Sequence, residues 1–429
     1  MNFIPCIILA ICFALGVPVA FSLILACIPY FVMDPYISIN VIIQRMVANA
    51  ESTSLMAVPL FIVAGSIMNY SGITNRLMNL ADALVGHLTG GLGHVNVVLS
   101  TMMGGISGSG AADASMESKL LVPEMEKRGY SRAFSAAVTA ASACITPIIP
   151  PGVGMVVFAF VCEVSLGKLF CAGYLPGLMM CVSMMIVVGI ISKKRGYKPS
   201  REKRASAKEV WKLTKDAAWA LFLPFGLIMG LRIGMFTATE GGAMMALYSL
   251  LVGKFVYKEL KFEQTPQIMC EAVVSMSSVM LILCAANVFS YYLSWERIPQ
   301  AMSELLISVS GNKFVFLLMV NVLMLILGMF LDGMACMIIL APLLAPVATA
   351  LGINMIHFGI TMCLNCALGA ITPPFGTYIF LVAGTVKLKA DKLVKELVPF
   401  IAVCLLVLGL VTYIPWISMI VPKLVYGVV

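Results

Sequence analysis

Thr146-Pro147-Ile148-Ile149-Pro150-Pro151-Gly152 and Ile371-Thr372-Pro373-Pro374-Phe375-Gly376-Thr377 carry one signature twice: paired prolines with threonine and glycine beside them. The two pairs lie 223 residues apart (373 minus 150). At that offset, without a gap, Gly105 meets Gly328, Gly110 meets Gly333, Pro123 meets Pro346 and Gly129 meets Gly352. Leu120 and Leu121 meet Leu343 and Leu344, and Ile148 meets Ile371. Apolar chains match themselves at Leu and Ile by chance. Shared Gly and Pro say more, because each imposes a particular backbone. The chain therefore reads as a duplication, with residues 1–192 and 217–429 as the halves and 193–216 as a linker.

Composition sets the solvent. Of 429 residues, 61% are hydrophobic and 11% charged, against about 45–50% and about 25% in soluble domains. That excludes a cytosolic enzyme, a secreted disulfide scaffold and a disordered chain. Charge-free runs cover Met1–Met33, Phe170–Ser192, Phe358–Val386 and Leu397–Pro422, each longer than the ~18 residues that cross a bilayer as helix. They exclude a β-barrel, whose strands alternate every second residue. The expected fold is an all-α polytopic membrane protein. Phe3–Phe31 and Leu221–Phe255 each read equally as one kinked span or two short helices. The start is not expected to be a cleaved signal: the first basic residue is Arg45, and the apolar stretch exceeds an h-region.

The net charge of +8 is local, with ten of the 28 Lys and Arg residues between Lys193 and Lys215. By the positive-inside rule this linker faces the cytoplasm, and Lys254, Lys258 and Lys261 are expected on the same side. The stretch 202–215 suits a lipid surface. No aromatic platform accompanies the charge, so nucleic acid is not an expected partner. The thirteen cysteines are scattered through apolar segments. The one C-x-x-C, Cys363 to Cys366, lacks the further ligands of a zinc site, so packing is its expected role.

Each half holds two irregular stretches. The first pair is Gly104-Gly105-Ile106-Ser107-Gly108-Ser109-Gly110-Ala111-Ala112-Asp113 and Gly328-Met329-Phe330-Leu331-Asp332-Gly333-Met334-Ala335. Irregular backbone at membrane depth survives only against protein or a wet cavity, so each is read as the tip of a re-entrant helical hairpin. The second pair comprises the Pro-Pro segments, where a missing N–H frees carbonyls next to Thr146, Pro150, Thr372, Pro373, Gly376 and Thr377. Carbonyls and hydroxyls are hard ligands for an alkali cation, and half-helix N-termini suit a carboxylate. Alone, either motif reads equally as a kink or a close helix contact. Recurrence in register favours a secondary transporter with its site between inverted repeats. An intramembrane carboxylate is a functional candidate by default, which marks Asp332 for cation binding. Asp113 is open between that role and capping the following helix. Ser66 and Asn287, before the two tips, are further candidates for cation contact. His87, His94 and His357 form no ligand cluster in the sequence, and no Walker motif occurs.

Met103–Ala114, Ile148-Ile149-Pro150-Pro151-Gly152 and Ile371-Thr372-Pro373-Pro374-Phe375-Gly376 resemble the DctM-type large membrane subunit of tripartite ATP-independent periplasmic (TRAP) transporters. The likeness runs end to end, through Gly16-Val17-Pro18-Val19-Ala20-Phe21 and Pro59-Leu60-Phe61-Ile62-Val63-Ala64-Gly65. It implies sodium-driven import of an organic acid, a C4-dicarboxylate or a sialic acid, across the bacterial inner membrane. A periplasmic binding protein would deliver the substrate, and a separate small DctQ-type membrane subunit would complete the carrier. An elevator fold is implied, with a transport domain moving against a scaffold. No cofactor is implied, and Na+ is the coupling ion. The family's sodium sites map onto Ser107, Gly108, Ser109, Gly110, Asp332, Gly333, Thr372 and Gly376. Ser107, Asp332, Gly333, Thr372 and Gly376 are the expected Na+ ligands, and Gly328 marks the second tip. Gly152 stands where the family often has Ser, so no hydroxyl acts there.

Two other functions compete. Gly105-Ile106-Ser107-Gly108 fits the Gly-x-Ser-Gly pattern of an intramembrane serine protease, which needs a base beside the serine. A passive channel is the other, although channels commonly build pores from several subunits.

Overall fold

The computed structural model describes residues 2–33, 35–53, 55–298, 301 and 312–427, and among these the regular structure is entirely helical. The first half contains α1 (Ile4–Ala14), α2 (Val19–Met33), α3 (Asn40–Ala50), α4 (Ala57–Asn69) and α5 (Ile73–Val85). It continues with α6 (Gly91–Gly104), α7 (Gly110–Lys127), α8 (Arg132–Ser142), α9 (Val153–Val161) and α10 (Leu166–Arg195). The second half contains α11 (Ala207–Arg232), α12 (Ala238–Leu251) and α13 (Thr265–Trp295). After these come α14 (Lys313–Gly328), α15 (Gly333–Ala350), α16 (Met355–Gly369), α17 (Thr377–Thr385), α18 (Ala390–Tyr413) and α19 (Pro415–Tyr426).

Helices start and stop where Gly and Pro demand it. Both ambiguous stretches, 3–31 and 221–255, are two helices: turns follow Gly16 at φ +73° and Gly234 at φ +71°. Three of the four charge-free runs are likewise not single spans. Residues 1–33 split at Gly16-Val17-Pro18, 358–386 at the second Pro-Pro, and 397–422 before Pro415. Only 170–192 lies within one helix, α10. Apolarity measures what the lipid tolerates, whereas helix length is set by the backbone breakers inside the run. Among the described residues, α10, α13, α15 and α18 are long and apolar enough to cross a membrane, and α4 meets α5 at a 71° bend.

The 223-residue offset reappears in helix boundaries. α7 and α15 each have 18 residues and start 223 positions apart (333 minus 110). Both Pro-Pro peptide bonds, Pro150-Pro151 and Pro373-Pro374, are cis. Packing is crosswise: α9, after the first Pro-Pro break, packs on α15, while α17, after the second, packs on α7. α8 meets α18 and α10 meets α16 in the same manner. Small residues allow this density. Ala136, Ala137, Ala140 and Ala141 of α8 are wholly buried, as expected where helices associate by close packing rather than by expelling water. Phe358 of α16 joins the halves, with ring centroids 6.3 Å from Phe158 and 6.2 Å from Phe316.

The basic linker lies across three helix ends. Arg201 pairs with Asp82 and with Glu209, each at 2.6 Å. The Ser200 amide donates to Gly86 O at 2.9 Å, and Tyr130 Oη donates to Lys198 O at 3.1 Å. Arg195 holds Glu396 of α18 at 2.8 Å.

Candidate functional site

The two tips meet in one cavity. Residues 105–109 interrupt α6 and α7, and residues 329–332 interrupt α14 and α15. Ser107 to Ala112 from the first and Asp332 to Met334 from the second line a cavity of about 470 Å³. Its opposite wall is Gly65, Ser66 and Asn69 of α4 with Ser275, Ser278 and Ile282 of α13. The tip approaches α4 because residue 65 has no side chain: a Cβ there would stand 2.8 Å from Ser107 O.

Each tip is a capped helix start. Ser109 caps α7, its hydroxyl accepting from Ala112 N at 3.4 Å, and the Ser107 hydroxyl accepts from Ser109 N at 3.4 Å. Asp332, at the corresponding position 223 residues on, caps α15 by accepting from Met334 N at 3.0 Å. The Gly333 and Ala335 amides also lie close to its carboxyl. Such a cap is worth about 1 kcal/mol. The capping role left open for Asp113 therefore belongs to Ser109. Asp113 lies one turn inside α7, wholly buried, accepting from Thr146 Oγ1 at 2.9 Å.

Each tip also touches the Pro-Pro break of its own half. Gly108 has φ +60°, and a Cβ on it would collide with the Pro151 carbonyl oxygen. Its own carbonyl accepts from Val153 N at 3.4 Å. In the second half Phe330 packs against Phe375, centroids 5.4 Å apart with the rings tilted at 41°, and Gly328 passes Gly369 so closely that a Cβ would stand 3.0 Å from its Cα. The breaks thus brace the tips from behind.

The candidates separate accordingly. Ser66, Ser107, Gly108, Ser109, Gly110, Asp332 and Gly333 line the cavity. Thr146 lies behind it, bonded to Asp113, and the neighbouring Pro147 reaches the lining where Pro150 does not. Gly328, Thr372, Pro373, Gly376 and Thr377 are outside the lining, and the Thr372 hydroxyl is turned onto Leu368 O at 2.7 Å. Asn287 is elsewhere. It donates to Arg45 O at 3.2 Å and lines a second cavity of about 750 Å³ with Asn49, Ser52 and Glu163. Sequence reasoning missed Asn69, Ser275, Ser278 and Tyr378. The two serines, three residues apart in α13, look like ordinary span serines until α4 is known to face them. Cys363 and Cys366 reach the cavity edge. Among the described residues no group of three His, Cys, Asp or Glu side chains is arranged for a metal.

Chemically, the lining offers one carboxylate, several hydroxyls and backbone oxygens, and no Lys or Arg. The two helix N-termini differ. That of α15 already faces the carboxylate of Asp332, whereas that of α7 is capped by a neutral hydroxyl. His357, the downstream histidine that the protease reading would call on, is engaged with Ser418 Oγ at 2.8 Å and Thr412 O at 3.2 Å rather than with Ser107.

Residues 6–417 match the family model described as the tripartite ATP-independent periplasmic transporter, DctM component. The chain belongs to this family. The DctM-family chain is 37% identical over 412 residues to the sialic acid TRAP transporter large permease protein SiaM of Vibrio cholerae, covering 96% of each. It is 32% identical to the C4-dicarboxylate TRAP transporter large permease protein DctM of Rhodobacter capsulatus, covering 95% of this chain and 96% of that one. With the isethionate TRAP transporter permease protein DctMQ of Oleidesulfovibrio alaskensis it shares 35% identity, over 96% of this chain and 64% of that one. The fold is that of two solved transporters at 14% identity. One is YdaH of Alcanivorax borkumensis (TM-score 0.64, 90% and 89% covered), the other MtrF of Neisseria gonorrhoeae (TM-score 0.58, 86% and 83% covered). This DctM-family chain is thus a multi-pass membrane permease, a transporter component and not an enzyme.

Proposed function

We propose that this chain is the large permease of a sodium-driven importer of an organic acid, either a C4-dicarboxylate or a sialic acid. The observation that carries the reading is the single cavity onto which both tips open. Asp332 supplies the negative charge for Na+, with Ser107 and the Gly333 backbone beside it. The α7 N-terminus, without a carboxylate cap, takes the substrate carboxylate through its free amides. A bound sodium ion next to that carboxylate stabilises both charges in a medium where neither is stable alone. This explains how an acid is held where the lining has no Lys or Arg. Thr372 and Gly376 act from behind the second tip, as Thr146 and Pro150 do behind the first.

On this reading the halves are inverted repeats, α6–α7 and α14–α15 are re-entrant hairpins, and both hairpins with their breaks move as an elevator against α4 and α13. The linker faces the cytoplasm of a cell whose inner membrane holds the carrier. A periplasmic binding protein delivers the substrate and a small DctQ-type subunit completes the complex. The SiaM and DctM relatives support the substrate class, and the DctMQ relative supports the partner.

The test is uptake into proteoliposomes containing this chain with its small subunit. Labelled acid is expected to enter only with an inward sodium gradient and the cognate binding protein. Flux indifferent to both would establish a passive pore instead.

A further inference from the structure

A third cavity, of about 490 Å³, lies away from the tips, where α5, α11 and the chain after α12 come together. Two of its walls leave the apolar layer here. α11 carries Lys208, Glu209, Lys212, Lys215 and Asp216 at its start and no further charge before Arg232. α12 has no charged residue after Glu240, and Lys254, Lys258 and Glu259 follow it. Trp219 of α11 lines the cavity at this boundary, the depth at which tryptophan gathers in membranes. The third wall, α5, buries Ile73, Leu77 and Leu80 and gives Asn75, Arg76 and Asn79 to the cavity. Asp82, one turn further along α5, is held by Arg201, so the cavity lies at the linker's end of the molecule.

The lining sets Arg76 and Lys215 against Asp216 and Glu259. Arg76 is fixed in place. Its Nη1 donates to Gly72 O at 2.8 Å and to Glu259 Oε1 at 2.6 Å, and its guanidinium carbon lies 4.0 Å from the Tyr257 ring centre. Among the described residues its Nε and Nη2 have no hydrogen-bond partner, and neither Lys215 nor Asp216 forms an ion pair. A free guanidinium edge beside an ammonium suits a phosphate, and a free carboxylate suits an ammonium. From the cavity an apolar strip continues along α11 through Trp219 and Phe222, 50% and 61% exposed. In a membrane that strip meets acyl chains, and pockets of this kind between helix ends take lipid headgroups. We propose that the cavity binds a phospholipid whose headgroup carries both a phosphate and a primary ammonium, with its chains along Trp219 and Phe222. The phosphate meets Arg76 and Lys215, and the ammonium donates to Asp216. A glycerol headgroup would leave Asp216 beside the phosphate with no cation, and a trimethylated ammonium has no N–H to donate. The lipid ties α5 to α11, and α5 continues through the 71° bend into α4, the wall that faces the tips.

Native mass spectrometry of the delipidated full chain tests this without any transport assay. The probes are phosphatidylethanolamine, phosphatidylglycerol and phosphatidylcholine with identical acyl chains. Phosphatidylethanolamine is expected to bind about tenfold more tightly than the other two, the worth of one charge-assisted contact. Lys215 and Asp216 are both exposed, so the chain should fold without either charge. Asp216→Asn should weaken phosphatidylethanolamine alone and erase the preference. Lys215→Gln should weaken all three lipids alike, since all carry the phosphate. Glycerophosphoethanolamine, the headgroup without chains, should compete poorly. Equal binding of the three lipids to wild type, or a preference for phosphatidylglycerol or phosphatidylcholine, overturns the proposal whether or not the variants fold. So does a preference that survives Asp216→Asn. Competition by glycerophosphoethanolamine as strong as by the lipid also overturns it, and would give the cavity to a soluble zwitterion.

Discussion

Asp332 does two things at one position: its carboxylate caps the N-terminus of α15, and the residue lines the cavity. Two substitutions separate these roles. Asp332→Asn keeps an N-cap of equal rank and removes only the charge. Sodium affinity in that variant is expected to fall about 10- to 100-fold, equal to the roughly 1.5–3 kcal/mol of a charge-assisted contact. Asp332→Ala should lose the same affinity and, in addition, about 1 kcal/mol of helix stability. A sodium titration of uptake measures the first effect and thermal unfolding in detergent the second; unchanged sodium dependence in both variants removes Asp332 from the site. Asp332 was legible in the sequence because a carboxylate inside an apolar run has few reasons to be there. Asn69 and Ser275 were not, since polar residues in spans commonly bond across helices and nothing local shows which of them face a cavity.

At the scale of elements, the tips depend on glycines that meet the breaks. Gly108 is left-handed and abuts the Pro151 carbonyl, whereas Gly129, left-handed at φ +86°, has open space where a Cβ would go. Gly129→Ala is expected to cost only the conformational penalty, about 1–2 kcal/mol. Gly108→Ala should cost more, because the collision adds to the same penalty, and it should reduce transport as well. Thermal unfolding of the two variants side by side decides it; equal losses would mean that the tip does not lean on the break. The linker should matter far less. Arg201 and Asp82 are partly exposed, so Arg201→Ala is expected to change stability by less than about 1 kcal/mol. Helix ends were readable wherever Gly and Pro marked them, as at 105–110 and 328–333. The runs 358–386 and 397–422 misled as spans, because their lack of charge says nothing about the Pro-Pro and Pro415 breaks within them.

For the whole molecule, the 223-residue offset was legible in the sequence but the packing of the helices was not. Sequence offset pairs α7 with α15, yet the contacts run crosswise, α9 to α15 and α17 to α7. Such packing depends on long-range shape that a self-match does not contain. The proposed orientation rests on the linker's charge. A cysteine at exposed Lys203 is expected to react with an impermeant maleimide only from the cytoplasmic side, in a background where exposed Cys270 is replaced. Labelling from the periplasm would invert the topology. The central claim, that two distant tips build one sodium site, is tested most directly by equilibrium sodium binding to wild type, Ser107→Ala, Asp332→Ala and the double variant. Residues sharing one site are coupled, so the double variant should lose little more affinity than the worse single variant. Losses that simply add would place the two tips at independent sites and contradict the account.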